Sequence, residues 1–460
     1  MKPFPTSEQA RKEFGYIRKI GLPLIAAYLS EFLMMITTKI VVSQLGYLEL
    51  AAVGISSDLS LEILFILIGI LSIVGVLCAG AEGAGNKGQA GVAVRQGVFL
   101  STVIGIPATW LIWNLDILLV WTGQDPEVIE LSRPYLHFLS PFLLATLYFS
   151  VLRNFVTALS RTKIIMVISA IAVPANYGLA MWFVHGGLGI PAMGVAGAGL
   201  ALTIVSWMMF ILLFLYIYRN GDLRGYGVFT GRWQIDFQVC REILVLGIPV
   251  GGLLILEGSM FTLVSVLAGI ISAETLAAYQ IALAWFGIPF VVALGIAEAV
   301  MVRVAHGAGD QNWQSARNSG IIGIVFGIVL LTFMIVIPLG LTDMIISIFI
   351  REGDSGFDTV AKLATSFLLI AALFQVFDGM QAVAARALRG LKDSLMPLWI
   401  AGFGYWVMGI GGGVLLAFVA DMKGIGLMWG LAMGLFTTGI LLTIRFHKLT
   451  GKRIAQVARW

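Results

Sequence analysis

The chain has 460 residues, of which 59% are hydrophobic and only 12% are charged. Soluble domains are about 45–50% apolar and about 25% charged, so this composition excludes a soluble fold and indicates an integral membrane protein. The net charge of +4 does not indicate nucleic-acid binding, and Cys78 and Cys240 lack the spacing of a metal site or a disulfide framework.

The N-terminus is polar as far as Glu13 and lacks the small-residue cleavage site of a removable signal peptide. A membrane-spanning helix needs about 20 mostly apolar residues. The sequence contains twelve such runs, which predicts an all-α polytopic membrane protein. The predicted spans are 18–43, 54–79, 96–115, 131–157, 163–186, 195–218, 243–271, 277–303, 317–342, 361–387, 396–420 and 424–446.

The first span contains a Gly-x-Pro motif that recurs in the seventh span. The motif ends at Pro23 and again at Pro249, and a glutamate follows each proline by eight residues, at Glu31 and Glu257. The tripeptide Leu50-Ala51-Ala52 also recurs at the same offset of 226 residues. Three separated features with one offset indicate an internal repeat.

The most polar internal stretch, residues 219–242, separates six predicted spans from six. We therefore predict an N-lobe at 1–218, a linker at 219–242 and a C-lobe at 243–460. Because six is even, both halves enter the membrane from the same side, and the repeat is parallel. Such repeats place the substrate path between the halves near the midplane of the bilayer.

Basic residues indicate the orientation of the chain. Of the 29 Lys and Arg residues, 24 lie at the two termini and in alternate loops with their flanking span ends. We therefore expect both termini and the 219–242 linker to be cytoplasmic, in a plasma membrane or bacterial inner membrane. The others are Lys39 inside the first span and, in the intervening loops, Arg133, Arg351, Lys362 and Lys423.

Glu257 lies in the middle of the seventh span, and no basic residue occurs between Arg241 and Arg303. Charged groups at membrane depth are costly and usually functional. Glu257 is therefore a candidate for binding a proton or coordinating a cation. The alternative is a protonated side chain that hydrogen-bonds a backbone carbonyl.

Asp378 lies in the tenth span between Gln375 and Gln381, at a spacing of three residues. This spacing places the three polar side chains on one face of a helix. The face suits a cation, a proton relay or an amine-bearing substrate. Interhelical hydrogen bonding is the structural alternative.

Glu31 and Lys39 share the first span, about 80° apart around the helix axis. They form either a structural ion pair or a functional pair facing one cavity. Glu298 is expected to pair in the same way with Arg303, five residues further on.

Motifs of ATP hydrolysis, zinc proteases and covalent catalysis are missing from the sequence. The sequence therefore predicts neither an enzyme nor a resident cofactor or structural metal. Transport would use an ion gradient, with Na⁺ or H⁺ as the coupling ion.

Together these motifs resemble the multidrug and toxic compound extrusion (MATE) family, in its NorM-type branch. The resemblance covers nearly the whole chain. Besides Glu257 after its Gly-x-Pro motif and Asp378, it rests on Ala278-Tyr279-Gln280-Ile281-Ala282, Arg303-Val304-Ala305-His306-Gly307 and Arg389-Gly390-Leu391-Lys392-Asp393.

The resemblance implies a two-lobed antiporter that exports organic cations in exchange for inward Na⁺ or H⁺. Glu257 and Asp378 match the acidic C-lobe positions used for cation coupling, where Na⁺ would bind transiently. Aromatic faces together with carboxylates hold organic cations well. Further candidates for a substrate cleft or a secondary role are Glu31, Thr38, Lys39, Asn176, Tyr279, Gln280, Phe286, Gln375 and Gln381.

The N-lobe departs from the family pattern. Thr38 stands where the family usually has an aspartate, and Glu31 stands where glutamine is common. Asn176 is kept, but Ala180 replaces the acid expected four residues later. A proton switch in this lobe would therefore have to use Glu31, about two turns away, or it does not exist.

We expect small organic cations and membrane lipid as partners, no nucleic acid, and a monomer. The alternative is an exporter or flippase of a lipid-linked or anionic substrate in the same superfamily, which Lys39 in the cleft would favour. A membrane-embedded lipid enzyme would need clustered catalytic groups, and a channel would need a filter motif. Neither is found in the sequence.

Overall fold

The computed structural model describes residues 7–187, 189–230, 233–350 and 357–457. Arg351 and residues 231–232 of the predicted linker lie outside the described residues.

The described part of the chain contains twelve helices long and apolar enough to cross a membrane, which confirms the predicted fold class. In chain order the helices are α1 (Ser7–Ser43), α2 (Tyr47–Gly83), α3 (Lys87–Trp113), α4 (Pro126–Ala158), α5 (Lys163–His185), α6 (Val195–Arg219), α7 (Phe237–Ile271), α8 (Ala273–Gly309), α9 (Trp313–Gly340), α10 (Phe357–Gly390), α11 (Leu395–Val419) and α12 (Lys423–Val457).

Polar side chains fix the start of four of these helices. Asn86, Asp125, Ser272 and Asn312 each accept a hydrogen bond from a backbone N–H two or three residues further on, at 2.9–3.2 Å. These bonds satisfy backbone donors that the first turn of a helix leaves unpaired. The caps therefore set where α3, α4, α8 and α9 begin.

Most of the helices are longer than the predicted spans, and the largest differences are at one end of α1 and one end of α12. Helix α1 begins at Ser7 rather than at 18, and α12 continues to Val457 rather than ending at 446. Hydropathy marks only the apolar part of a helix, whereas the backbone hydrogen bonds of an α-helix continue equally well through polar residues. The predicted runs therefore mark the apolar part of these two helices and not the ends of the helices.

The chain divides into two compact units. The N-unit is Ala26–Gly251, and the C-unit combines the described residues of Met1–Ile25 with those of Gly252–Trp460. Each unit thus contains part of α1 and part of α7. The linear lobes predicted from the repeat, 1–218 and 243–460, remain a prediction about the sequence, and the compact units do not follow their boundaries.

The unit boundaries follow the repeated Gly-x-Pro motif. The boundary in α1 lies two residues after Pro23, and the boundary in α7 lies two residues after Pro249. The glycine of each motif approaches another helix of its own unit closely. A Cβ atom on Gly21 would lie 3.5 Å from the carbonyl oxygen of Gly295, and one on Gly247 would lie 2.9 Å from the Cα of Ile70.

Within the C-unit, α8 packs against α10, and α10 packs against α12. Phe367 of α10, Tyr405 of α11 and Leu431 of α12 are fully or almost fully buried in the apolar core of this unit. Within the N-unit, α4 packs against α6, and Tyr135 and Phe155 of α4 are fully buried. The polar side chains described below are therefore held in tightly packed helices.

The chain between α6 and α7 is attached to the N-unit by side-chain hydrogen bonds. The hydroxyl of Tyr226 donates to Glu82 at 2.7 Å, and the amide of Gln96 donates to the carbonyl oxygen of Gln234 at 2.8 Å. Arg161 forms an ion pair with Asp222 at 2.8 Å, and its guanidinium lowers the pKa of that exposed carboxyl. The described part of the predicted linker is therefore a folded segment of the N-unit.

Candidate functional site

Helices α7 and α10 bring the two predicted coupling carboxylates together in the C-unit. Glu257 of α7 is 8% exposed, and Asp378 of α10 is 1% exposed. Gln375 and Gln381 lie one turn before and one turn after Asp378 and are equally buried. The predicted polar face of α10 is therefore an interior face rather than one in contact with lipid.

One side-chain amide connects three helices at this site. The Nε2 of Gln381 donates to Oε1 of Glu257 at 3.0 Å and to Oδ1 of Asp378 at 3.1 Å. The hydroxyl of Tyr405 in α11 donates to Oε1 of Gln381 at 2.8 Å. The sequence suggested that Glu257 has no nearby partner. In the structure it shares its hydrogen-bond donor, the Gln381 amide, with Asp378.

Neither Glu257 nor Asp378 forms an ion pair within the described part of the chain. Arg386, two turns beyond Asp378, acts electrostatically on both carboxyls, but its Nε binds Glu298 of α8 at 3.1 Å. The cluster thus contains two carboxyls, one amide donor and a cation bound elsewhere. Such a cluster can take up a proton or a small cation, because oxygen ligands suit both.

The N-unit contains the predicted positions Thr38 and Asn176, joined to one another. The Nδ2 of Asn176 donates to Oγ1 of Thr38 at 2.8 Å and to the carbonyl oxygen of Met34 at 3.2 Å. Ala180 is fully buried on the same helix, so its position offers no carboxylate. This pair holds α5 against α1 without an ionisable group.

Glu31 pairs with an arginine instead of Lys39. The NH1 of Arg153 in α4 lies 3.0 and 3.1 Å from the two carboxylate oxygens of Glu31, and the hydroxyl of Ser169 lies 3.4 Å from one of them. The guanidinium also lies over the rings of Tyr28 and Phe149, at 5.1 and 5.7 Å. The predicted Glu31–Lys39 pair was wrong, because the neighbouring helix supplies a nearer cation.

Lys39 and Glu298 also have other partners than those predicted. Lys39 binds Asp58 of α2 at 3.1 Å. Glu298 binds Arg386 rather than Arg303, whose partner is Glu13 at 2.8 Å. In each of these ion pairs the two residues lie on different helices, whereas the predictions considered only residues on the same helix.

The predicted aromatic candidates of α8 lie mainly in the core of the C-unit. Tyr279 is 2% exposed and donates to the carbonyl oxygen of Phe261 at 2.9 Å. Phe286 is buried against the rings of Phe261 and Phe374. Gln280 is more exposed and donates to Ser265 at 3.0 Å. A role of these residues in a substrate cleft remains a prediction.

Sequence reasoning missed three residues with specific contacts. Tyr405 was not among the candidates, and nothing in its sequence neighbourhood indicates its bond to Gln381. Arg153 and Arg386 were counted among loops and span ends. Both lie inside the predicted runs 131–157 and 361–387, and an arginine inside a span is the signal that could have identified them.

Comparison with known proteins gives the family. The MatE family profile matches residues 23–182 and 249–415, which together make up more than half of the chain. The chain belongs to the MatE family. This MatE-family chain is 34% identical over 444 residues to a probable multidrug resistance protein NorM of Pseudomonas aeruginosa, covering 96% of this chain and 91% of the relative. It is 34% identical over 440 residues to the protein of the same name in Mesorhizobium japonicum, covering 95% and 94%.

Solved structures share the fold of this MatE-family chain. A eukaryotic MATE transporter matches with a TM-score of 0.86 and 21% identity, over 98% of this chain and 100% of that one. A MOP-superfamily transporter from Pyrococcus furiosus, described as having a binding pocket of reversed polarity, matches with a TM-score of 0.86 and 17% identity, over 95% and 96%. The family and the twelve helices establish an integral membrane transporter.

Proposed function

We propose that this MatE-family protein is a secondary active antiporter, which exports organic cations in exchange for inward Na⁺ or H⁺. The observation that carries the proposal is the Glu257–Gln381–Asp378 cluster. Its two carboxyls are buried in the C-unit and have no ion-pair partner among the described residues. Carboxyls at membrane depth commonly form the ion pathways of transporters.

The cluster supports cation exchange through its charge. Two buried carboxylates close enough to share one amide donor repel one another, and each is deprived of water. A proton or a small cation relieves both effects when it binds. Binding on one side of the membrane and release on the other side would therefore couple the cluster to an ion gradient, without ATP or a cofactor.

The substrate class comes from the relatives. Curated relatives at 34% identity are named probable multidrug resistance proteins, which supports small organic molecules as substrates. The two negative charges of the cluster favour cationic ones. We propose a bacterial inner membrane as the location, because the relatives named NorM are bacterial proteins. Both termini would be cytoplasmic, because 24 of 29 basic residues lie on one side of the predicted topology.

Ethidium efflux from proteoliposomes tests the proposal. An imposed Na⁺ gradient and, separately, an imposed pH gradient would be applied to the wild type, Glu257→Gln and Asp378→Asn. We expect efflux of the wild type under at least one gradient. We expect a loss of about tenfold or more in each variant, because an amide has no negative charge to balance a bound cation and does not take up a proton near neutral pH.

The matched control is Glu127→Gln, which removes an exposed carboxylate at the start of α4 and should leave efflux unchanged. Normal efflux by both Glu257→Gln and Asp378→Asn would remove the cluster from the mechanism. If only Asp378→Asn transported normally but unfolded at a lower temperature, Asp378 would have a structural role alone.

Export of a lipid-linked or anionic substrate is the second candidate. It has less support here. Lys39 and Arg153, the basic groups of the N-unit that would attract an anion, are each bound to a carboxylate. Absence of ethidium efflux under both gradients, together with gradient-driven efflux of an anionic dye, would favour this candidate.

A further inference from the structure

Helices α9 and α12 of the C-unit pack against one another at their predicted cytoplasmic ends. A Cβ atom on Gly320 of α9 would overlap the ring of Phe446 of α12, so this ring lies directly on the α9 backbone. About one turn before Gly320, Nη2 of Arg317 lies 2.8 Å from Nε2 of His447. These contacts hold the end of α12 against the start of α9.

Arg317 is a buried cation without a carboxylate partner among the residues that the structure describes. It is 8% exposed, its Nη2 contacts the imidazole of His447, and its Nε is buried without a hydrogen bond. Glu13 of α1, which accepts a hydrogen bond from Ser319 of α9, is already bound by Arg303. A buried charge is costly unless an opposite charge compensates it. Arg317 therefore favours an anion at this helix end.

The other charges on these two helices are positive as well. Lys448, Lys452 and Arg453 are exposed on the last turns of α12, and the sequences of α9 and α12 contain neither aspartate nor glutamate. Arg445 is balanced from outside the two helices, because it binds Asp393 at 2.6 Å. The end of this helix pair therefore has an excess of positive charge.

The N-unit has a related contact in which the positive charge is balanced. Lys87, at the start of α3, lies over the ring of Tyr226 at 5.5 Å, and Arg453 lies over the ring of Trp313, at the start of α9, at 5.3 Å. The repeat offset of 226 residues relates Lys87 to Trp313. In the N-unit the hydroxyl of Tyr226 also binds the carboxylate of Glu82. The sequences of α9 and α12 offer no such carboxylate.

His447 provides an exposed hydrogen-bond donor at this place. Its side chain is exposed, whereas Arg317 is buried. An arginine only donates, so the ring nitrogen that Arg317 contacts at 2.8 Å, Nε2, accepts and carries no proton. In a neutral imidazole the other nitrogen, Nδ1, then carries the proton and is a donor. Arg317 therefore holds His447 in the form that has an N–H at Nδ1.

The surface of α12 is open beside this donor. Gly451 follows His447 by four residues and Lys448 by three, so both side chains are its neighbours on the helix surface. A Cβ atom on Gly451 would meet nothing within 4 Å. A group of the size of a phosphate therefore has room here, next to an imidazole N–H and an ammonium group.

The same side of α12 changes from apolar to basic along the helix. Phe436 and Ile444 are large, exposed apolar side chains, and Lys448 and Lys452 continue the row at a spacing of four residues. A phospholipid has the same order, with acyl chains followed by a phosphate. Basic clusters at the cytoplasmic ends of membrane helices commonly bind anionic headgroups. The pattern therefore favours a lipid over a free phosphate ion.

We propose that the end of α12 binds the headgroup phosphate of an anionic phospholipid beside Gly451. His447 and Lys448 donate to the phosphate oxygens, and Arg317 is a positioning residue that holds the imidazole and adds positive charge. The acyl chains lie along Ile444. The site is separate from the carboxyl cluster of the C-unit, and the inference does not rest on the proposed function.

The experiment uses the purified full chain in detergent. Its unfolding temperature is measured as phosphatidylglycerol is added to the micelles, and separately as phosphatidylcholine is added, which has a phosphate but no net charge. A ligand of the folded state raises the unfolding temperature. We expect a larger rise with phosphatidylglycerol, and no comparable rise with inorganic phosphate at the ionic strength of a sodium chloride control. Native mass spectrometry should detect phosphatidylglycerol bound to the protein.

Gly451→Leu is the sharpest variant, because it fills the proposed headgroup site. The new side chain would displace no protein atom next to its Cβ, and leucine favours a helix more than glycine does. Without added lipid we therefore expect an unfolding temperature equal to or above that of wild type. The additional rise caused by phosphatidylglycerol over phosphatidylcholine should be lost.

Arg317→Gln is the second variant, since glutamine still has a donor for His447 but has no charge. Without added lipid its stability should not fall, because an uncompensated buried charge has been removed. We expect phosphatidylglycerol to bind about fivefold more weakly, as for the loss of one basic group near a lipid surface. The matched control is Lys163→Gln, which removes an exposed positive charge at the start of α5 in the N-unit. It should leave lipid binding unchanged.

Four results would overturn the inference. They are equal rises with phosphatidylglycerol and phosphatidylcholine, an undiminished rise in Gly451→Leu, equal losses in Arg317→Gln and Lys163→Gln, and a full rise with inorganic phosphate alone. The last result would assign the site to a free anion. These measurements do not use dye efflux, so a failure here leaves the antiporter proposal intact, and absent efflux leaves the lipid site intact.

Discussion

At the scale of single residues, the ion pairs inside the spans show which charges have a partner of opposite sign. Lys39, Arg153 and Arg386 each bind a carboxylate on another helix. Pairing of this kind makes a charge tolerable at membrane depth. Glu257 and Asp378 are held by the neutral amide of Gln381 instead. This difference supports the proposal that Glu257 and Asp378, rather than the paired carboxylates, exchange a cation.

The Glu298–Arg386 pair should contribute strongly to stability. Both side chains are 13% exposed, so the loss of either one leaves an uncompensated buried charge. We expect Arg386→Ala to reduce the free energy of unfolding by about 3–5 kcal/mol. The measurement is the unfolding of the purified variant by heat or denaturant, compared with wild type.

The exposed pair of Lys39 with Asp58 gives the control for this prediction. The two side chains are 39% and 67% exposed, and Asp58→Ala should cost about 0–1 kcal/mol. The double variant Glu298→Ala, Arg386→Ala should recover part of the loss, since it leaves no unpaired charge. Equal stability of Arg386→Ala and Asp58→Ala would show that the buried pair contributes no more than an exposed pair.

At the scale of helices, glycines decide how closely α11 and α12 approach one another. A Cβ atom on Gly430 of α12 would lie 2.6 Å from the carbonyl oxygen of Gly409 and 2.7 Å from the backbone nitrogen of Gly413. Small residues at a helix interface permit such close packing in lipid. Because α11 positions Tyr405, this contact also positions the hydroxyl that binds Gln381.

Gly430→Ala should therefore destabilise the protein. The new methyl group would meet backbone atoms, which move less easily than side chains, and we expect a cost of about 1–3 kcal/mol. The control is Gly178→Ala in α5, where a Cβ atom would meet nothing within 4 Å. That variant should be neutral or up to about 1 kcal/mol more stable, since alanine favours the helix. Unfolding temperatures measure both effects, and equal values would refute the close contact.

At the scale of the whole molecule, each half of the sequence contributes one segment to the unit formed mainly by the other half. Residues before Ala26 belong to the C-unit, and residues up to Gly251 belong to the N-unit. Glu13 secures the first of these segments, because it binds Arg303 of α8 at 2.8 Å and accepts a hydrogen bond from Ser319 of α9 at 2.8 Å. Each compact unit therefore combines segments from both halves of the sequence.

This arrangement predicts that neither half of the chain is stable alone. A fragment 1–230 would lack the α7 segment of the N-unit, and a fragment 231–460 would lack the α1 segment of the C-unit. We expect each fragment to aggregate or to be degraded when expressed alone, and the two to purify together when expressed together. Size-exclusion chromatography and unfolding temperatures provide the measurement. A single fragment that is monodisperse and as heat-stable as the full chain would contradict the shared units.

The sequence by itself determined the number of helices, the family and the identity of the two cluster carboxyls. Each of these properties can be read from individual spans of the sequence. The bilayer requires each span to be apolar along its own length, so a charged residue inside a span is easily recognised. The resemblance added the expected role of Glu257 and Asp378, which remains a proposal. Span ends such as Ser7 of α1 and Val457 of α12 were outside the reach of this argument, since hydropathy does not register polar helical turns.

Only the tertiary structure decided which residues meet. Glu31 binds Arg153 rather than Lys39, and Gln381 joins Glu257, Asp378 and Tyr405 from three helices. Partners on different helices have no fixed spacing in the sequence. Whether two such residues meet depends on which helix faces pack together, and the apolar and small residues of each helix decide that packing. The same holds for the unit boundaries, which pass through the interior of two helices.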